Sequence, residues 1–176
     1  VREERIGEGS RTGGHLAANL GAVELTVAIH RGFDTSRDRL VFDVGHQCYI
    51  HKMLTGRREE MAGLRQYGGI AGFPKPGESV HDAFIAGHAS NSVAVAVGMV
   101  QARAALGQDY QVATLIGDGA LTGGLAYEGL SNGGQCGQQL LVILNDNGMS
   151  IDRNVGAVAR HLAQQRLQPQ YLSFQH

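Results

Sequence analysis

The stretch that decides the fold is "YQVATLIGDGALTGGLAYEGLSNGGQCGQQLLVILNDNG", residues 110–148. It opens and closes on continuous apolar runs, 110–119 and 139–148, of the kind found in parallel strands covered on both faces. The segment between them has room for one crossover helix. Strand, helix and strand in that order predict an α/β fold, doubly wound, with a mainly parallel sheet and helices on both faces. In a right-handed unit of this kind the carboxyl ends of both strands lie on one edge, where open α/β sheets bind ligands. Asp118 and Asn147 each fall just past a strand at that edge.

One anionic and one neutral oxygen ligand suit a hard cation that keeps other ligands for itself. Mg²⁺ behaves so, taking one or two protein oxygens together with phosphate oxygens and water. Gly117 and Gly119 allow backbone to approach a phosphate, and the N-terminus of the following helix favours its charge. Taken singly, Gly-Asp-Gly and Asn-Asp-Asn are ordinary turns. Their pairing across one β-α-β unit makes the physical reading a magnesium–diphosphate site.

Upstream, "HLAANLGAVELTVAIHRGF" (15–33) has a helical apolar spacing with Gly32 placed to end it. "DRLVFDVGH" (38–46) reads as a buried strand stopping at Gly45, and "CYIHKMLTG" (48–56) as a short helix with Gly56 past its end. "RREEMAGLRQ" (57–66) reads as an exposed helix, with "GRREEM" a solvated face. Residues 67–88 form a long irregular loop, a type that is usually functional or mobile. "SNSVAVAVGMVQARAALG" (90–107) alternates like a strand, but its length favours a helix with Ser90 as cap.

Composition describes an ordinary globular chain of one domain, residues 1–176, with 43% hydrophobic and 18% charged residues. A net charge of -1 gives no reason to expect nucleic acid or an anionic membrane as partner. No apolar run is long enough to span a bilayer. Cys48 and Cys136 are too few for a disulfide framework and read as packing residues, so a cytoplasmic location is the default. Glycine, 26 of 176 residues, is about twice the usual ~7%. The chain begins with Val, in what reads as mid-element, and is expected to be incomplete.

These residues carry a resemblance. The Gly-Asp-Gly turn followed at a distance by Asn147 resembles the diphosphate-binding motif of thiamine-diphosphate enzymes. "TGGHLAANLGAVELTVAIH", "FDVGHQCYIHKMLTGRR", "GHASNS", "IGDGALTGG" and "ILNDNGMSI" resemble, in order, segments of the 1-deoxy-D-xylulose-5-phosphate synthase family, a branch of the transketolase-like enzymes. The likeness runs from about residue 10 to residue 172. It implies a transferase using thiamine diphosphate and Mg²⁺ to condense pyruvate with glyceraldehyde 3-phosphate, with loss of CO₂. It further implies that Asp118, the Asn147 side chain and the Met149 carbonyl ligate Mg²⁺. Gly119 and Ala120 would meet the diphosphate, and His46, Gly87, His88 and Ala89 the cofactor. His15 would serve proton transfer or substrate orientation. Imidazole suits such work near neutral pH, whereas His30, His51, His81, His161 and His176 read as capping or core residues.

Enzymes of this resemblance clamp thiamine diphosphate between two domains, the second supplying a glutamate. This sequence resembles only the first, so the resemblance implies a homodimer or a second polypeptide carrying the pyrimidine-binding domain, without which the chain is inactive. A catalytically inactive cofactor-binding or interaction module is the alternative. A Mg²⁺-dependent phosphohydrolase is a third reading, against which stands the lack of a Gly-Lys-Ser/Thr motif. Gly123, Gly124, Gly129 and Gly133 in the crossover segment are expected to cost roughly 0.5–1 kcal/mol each against alanine.

Overall fold

The computed structural model describes residues 14–146 and 155–168. Three parallel strands form one sheet in the order β1 (Arg39–Phe42), β2 (Val112–Gly117) and β3 (Leu141–Asn145). Leu40 pairs with Ala113 and Phe42 with Leu115, while Ala113 pairs with Leu141 and Gly117 with Asn145. The central strand is therefore β2, the apolar run that precedes Gly-Asp-Gly.

Because side chains alternate along a strand, each face of the sheet has its own core. Leu40, Phe42, Ala113 and Leu115 face one layer of helices, α2 (Val23–Gly32) and α3 (Tyr49–Leu54), through Val23, Ile29, Tyr49, Ile50 and Met53. On the opposite face Ile116 meets Val93 of α4 (Ser92–Ala105) and Ala126 of α6 (Gly124–Gln135). Val112 there meets Ala96 and Val100 of α4. Helices thus cover both faces, as the β-α-β reading requires. The crossover segment supplies a short helix, α5 (Asp118–Leu121), before α6.

Several local expectations are corrected. Residues 15–33 form two helices, α1 (Leu16–Leu20) and α2, because the buried Asn19 turns its side chain onto backbone outside the helix and the chain breaks at Gly21–Ala22. Residues 57–66 hold only a 3-10 turn, Glu59–Gly63, and are not an exposed helix. Met61 and Leu64 join the core, and Arg57 is buried in ion pairs, so only Arg58, Glu59 and Glu60 of that charged run are solvated. Ser90 is not the cap of α4: Asn91 holds that position, and Ser90 has φ 73° and bonds elsewhere. Strand β3 is half exposed, with Leu141 and Leu144 open to solvent, so it is not covered on both faces.

The crossover glycines also have a different meaning. A Cβ on Gly129 would lie 2.8 Å from the Ala94 nitrogen, and one on Gly123 2.0 Å from Ser90 Oγ. At these two positions glycine is what lets α6 and its leading turn approach α4 and the 86–91 loop. By contrast a Cβ on Gly124 would meet nothing within 4 Å.

Candidate functional site

At the carboxyl edge of the sheet each strand runs into a polar turn. Past β1 come Asp43, Val44, Gly45 and His46; past β2, Asp118, Gly119 and Ala120; past β3, Asp146. The register that pairs Gly117 with Asn145 makes the ends of β2 and β3 neighbours. Asp118 is buried as the first residue of α5, and Gly119 and Ala120 are half-buried. Asn147 and Met149 lie outside the described residues. Among the described residues no three His, Cys, Asp or Glu side chains gather into a metal-holding group.

Asp43 organises this edge. Its carboxylate, almost fully buried, accepts hydrogen bonds from Ser90 N (2.8 Å) and Ser92 N (3.0 Å). Ser92 is the first residue of α4, so the negative charge also faces that helix's positive end. The Asp43 carbonyl accepts from Gly45 N and Gln47 Nε2. Ser90 in turn donates from Oγ to the Ala120 carbonyl at 2.7 Å. One chain of contacts thus ties the β1 turn to the 86–91 loop and to the Gly-Asp-Gly turn. Gly87, His88 and Ala89 are exposed on that loop, just ahead of the pinned Ser90. Backbone strain collects here as well: Val44 has φ 58° and Ser90 φ 73°, both in the left-handed region that non-glycine residues avoid.

His15 and His46 meet at the same edge, with ring centroids 5.0 Å apart and planes at 65°. His15 is exposed, just ahead of α1, and His46 is half-buried. Burial first, then the neighbouring His15, lower the pKa of His46 below the ordinary imidazole value, while Asp43 works the other way. Its Nδ1 atom is buried without a hydrogen-bond partner among the described residues. A neutral imidazole with an unused ring nitrogen at a ligand-binding edge is an expectant donor or acceptor.

Sequence reasoning missed Asp43, Ser90 and Asn19. Asn19 Nδ2 donates to the carbonyls of both His15 and His46, at 2.7 Å each. The one signal in the sequence was position: Asp43 stands directly past a strand, as Asp118 does.

The family model for 1-deoxy-D-xylulose-5-phosphate synthase matches residues 1–176. The chain belongs to the 1-deoxy-D-xylulose-5-phosphate synthase family. It is 53% identical over 171 residues to the 1-deoxy-D-xylulose-5-phosphate synthase of Pelotomaculum thermopropionicum, covering 97% of this chain and 27% of that relative. Identity to the synthase of Thiobacillus denitrificans is 58% over 163 residues, 93% of this chain and 26% of the relative. To that of Porphyromonas gingivalis it is 58% over 153 residues, 87% and 24%. The chain therefore spans about a quarter of the length of these curated relatives.

Family membership brings thiamine diphosphate into question, and the described edge can be tested against it. Asp118 offers a buried carboxylate at a strand end, as a cation bridging phosphates requires. A Cβ on Gly117 or Gly87 would meet nothing within 4 Å, so open space borders backbone at both turns. The orphaned Nδ1 of His46 adds a polar atom in want of a partner. These features fit a phosphorylated cofactor with its cation.

His30 and His51 sit elsewhere. His51 is fully buried between His30, whose Nε2 lies 2.9 Å from His51 Nδ1, and Asp82, whose Oδ1 lies 3.0 Å from His51 Nε2. Asp82 also accepts two bonds from Arg57 and one from Lys75 N. Glu78, from the same long loop, pairs with the buried Lys52. The 67–88 loop thus anchors the fold through ion pairs. Cys48 is buried, its thiol pushed up to about 12 by desolvation, which suits a packing role.

Proposed function

We propose that residues 1–176 are one diphosphate- and magnesium-binding domain of a 1-deoxy-D-xylulose-5-phosphate synthase. The activity is condensation of pyruvate with glyceraldehyde 3-phosphate, with loss of CO₂, to give 1-deoxy-D-xylulose 5-phosphate, a precursor of isoprenoids. The observation that carries this reading is the buried Asp118 at the carboxyl end of the central strand, with the end of β3 beside it in register. Asp118, the Asn147 side chain and the Met149 carbonyl ligate Mg²⁺. Gly119, Ala120, Gly87, His88, Ala89 and His46 hold thiamine diphosphate. When bound, that cofactor supplies the electron-accepting chemistry that lets a 2-oxo acid lose CO₂.

This chain's own residues bind, orient and move protons. The Asp43–Ser90–Ala120 contacts hold the two binding turns at a fixed separation, which lowers the entropic cost of binding. His46, kept neutral by burial, presents a ring nitrogen to the cofactor. His15, exposed beside it, serves proton transfer or substrate orientation. The domain works in the cytoplasm as part of a homodimer or beside a polypeptide carrying the pyrimidine-binding unit.

Isothermal calorimetry with thiamine diphosphate, with and without Mg²⁺, tests the assignment. The folded chain should bind in a Mg²⁺-dependent manner. Asp118→Ala should bind more than about 100-fold more weakly, since even residues that merely orient a ligand to a metal cost 10–100-fold. Undiminished affinity in that variant refutes the ligand assignment. Catalysis is checked by adding a separately produced pyrimidine-binding part and measuring CO₂ release from pyruvate.

A further inference from the structure

Building on the assignment of His15 and His46 above, we propose that Asn19 is a positioning residue that sets these two histidines as a working pair. Asn19 is fully buried although it lies in the five-residue α1 of the chain's first described turn. Its amide nitrogen has two hydrogens and spends both: one on the His15 carbonyl at 2.7 Å and one on the His46 carbonyl at 2.7 Å. Its Oδ1 accepts from Tyr49 N, the first residue of α3, at 2.9 Å. One side chain thus joins three backbone segments, and two of those are the backbones that carry the paired rings.

No other side chain of this size does the same. Aspartate has no hydrogen to give and would set a charge against two carbonyl oxygens; leucine takes away the side-chain partner of the His46 carbonyl and of Tyr49 N, leaving the His15 carbonyl only its bond from Asn19 N. The consequence lies in the rings. With both backbones held, the imidazoles stand 5.0 Å apart at 65°, and the buried His46 Nδ1 has no partner among the described residues. The titratable groups that face His46 are His15 and Asp43. Asp43 is fixed independently by Ser90 and Ser92, so what Asn19 governs is the approach of His15.

The test is imidazole titration by NMR on the cofactor-free 176-residue chain, which reads the pair without any turnover. His15→Gln should raise the pKa of His46 in the wild-type background. In Asn19→Ala the pKa of His46 should already be raised, and adding His15→Gln should change it no further. A His46 titration unmoved by Asn19→Ala, or moved equally by His15→Gln in both backgrounds, overturns the proposal. Should Asn19→Ala not fold, Asn19→Ser, which retains one donor, replaces it. His46 unmoved by His15→Gln in the wild type overturns the pair by itself. Calorimetry with thiamine diphosphate and Mg²⁺ on the same proteins separates the two claims. No binding by the wild type defeats the cofactor reading, while the titrations still decide the coupling. Given wild-type binding, Asn19→Ala should bind about 10–100-fold more weakly, the usual range for residues that orient a liganding group; equal affinity defeats the positioning role.

Discussion

Replacing Gly129 by alanine puts a methyl group into the tightest part of the contact between α4 and α6. Its Cβ would lie 2.8 Å from the Ala94 nitrogen and 3.1 Å from both the carbonyl carbon and the Cβ of Val93. Two of those three atoms are backbone within α4, so neither can turn aside and the helix must shift as a body. Overpacking of this kind costs about 1–3 kcal/mol. The helical preference for alanine offsets about 0.5–1 kcal/mol of it. The net expectation is a loss of up to about 2.5 kcal/mol. For a chain of this length each kcal/mol moves the midpoint by about 2–4 °C, which places the variant up to about 10 °C below wild type. Gly134→Ala is the control, because its Cβ would meet nothing within 4 Å in the same helix. That variant should gain up to about 1 kcal/mol and melt up to about 4 °C higher. Thermal unfolding followed by far-UV circular dichroism reads both. A Gly129→Ala protein melting at or above wild type, beside a Gly134→Ala protein that behaves as expected, would show that the two helices do not approach as described.

Two further outcomes follow from the ion-pair network beneath the 67–88 loop. Asp82→Ala removes the shared acceptor of Arg57, His51 and Lys75 N and leaves the buried Arg57 only the more distant Glu78 carboxylate, so it should cost up to about 3–5 kcal/mol in urea denaturation; a loss below about 1 kcal/mol would mean water reaches this site. Stability should also fall with acid. Burial, then His51 and His81, lower the His30 pKa to about 4, and burial lowers that of His51 too. In the unfolded chain both titrate near 6.5, so the unfolded state binds more protons between these values. The His30 contribution is present in full above about pH 6.5 and is lost as pH falls towards about 4, and that of His51 is lost in the same direction. The Asp82 carboxyl, held low by Arg57 and His51 against its burial, adds acid sensitivity only below the ordinary carboxylate range. Urea midpoints measured from neutral pH down to about 4.5 should decline, and a flat series would contradict the neutral, buried state of His30 and His51.

What could be read from the amino acids alone was whatever depends on near neighbours in the chain. The continuous apolar runs in 110–119 and 139–148 specify strands because consecutive apolar residues suit a sheet with helices on its faces, and the structure pairs the strands within them in parallel. The length of 92–105 outweighed its alternating valines, and it is a helix. Contacts made at a distance were invisible. Asn19 sits in a helical apolar pattern, and only the arrival of His46, 27 residues later, shows why the helix breaks there. Arg57 looked like the start of a solvated run, and the Asp82 that buries it lies 25 residues on. Ser90 carried the signature of a helix cap, but its hydroxyl is taken by the Ala120 carbonyl, 30 residues away.

These misses share a physical cause and a place. Asn19, Asp43 and Ser90 are small polar residues whose local alternatives are caps and turns, and each instead spends its hydrogen bonds across the carboxyl edge of the sheet. A buried polar group that abandons its local partners must find equal ones, and each such exchange fixes two stretches of chain against each other. Where several exchanges converge on one edge, that edge is rigid before any ligand arrives. Rigidity of this kind is what a site for a charged, two-ended cofactor needs, because freedom lost during folding is not lost again on binding. The departures from local expectation in this chain therefore meet at the carboxyl edge of the sheet, where the Gly-Asp-Gly turn also lies.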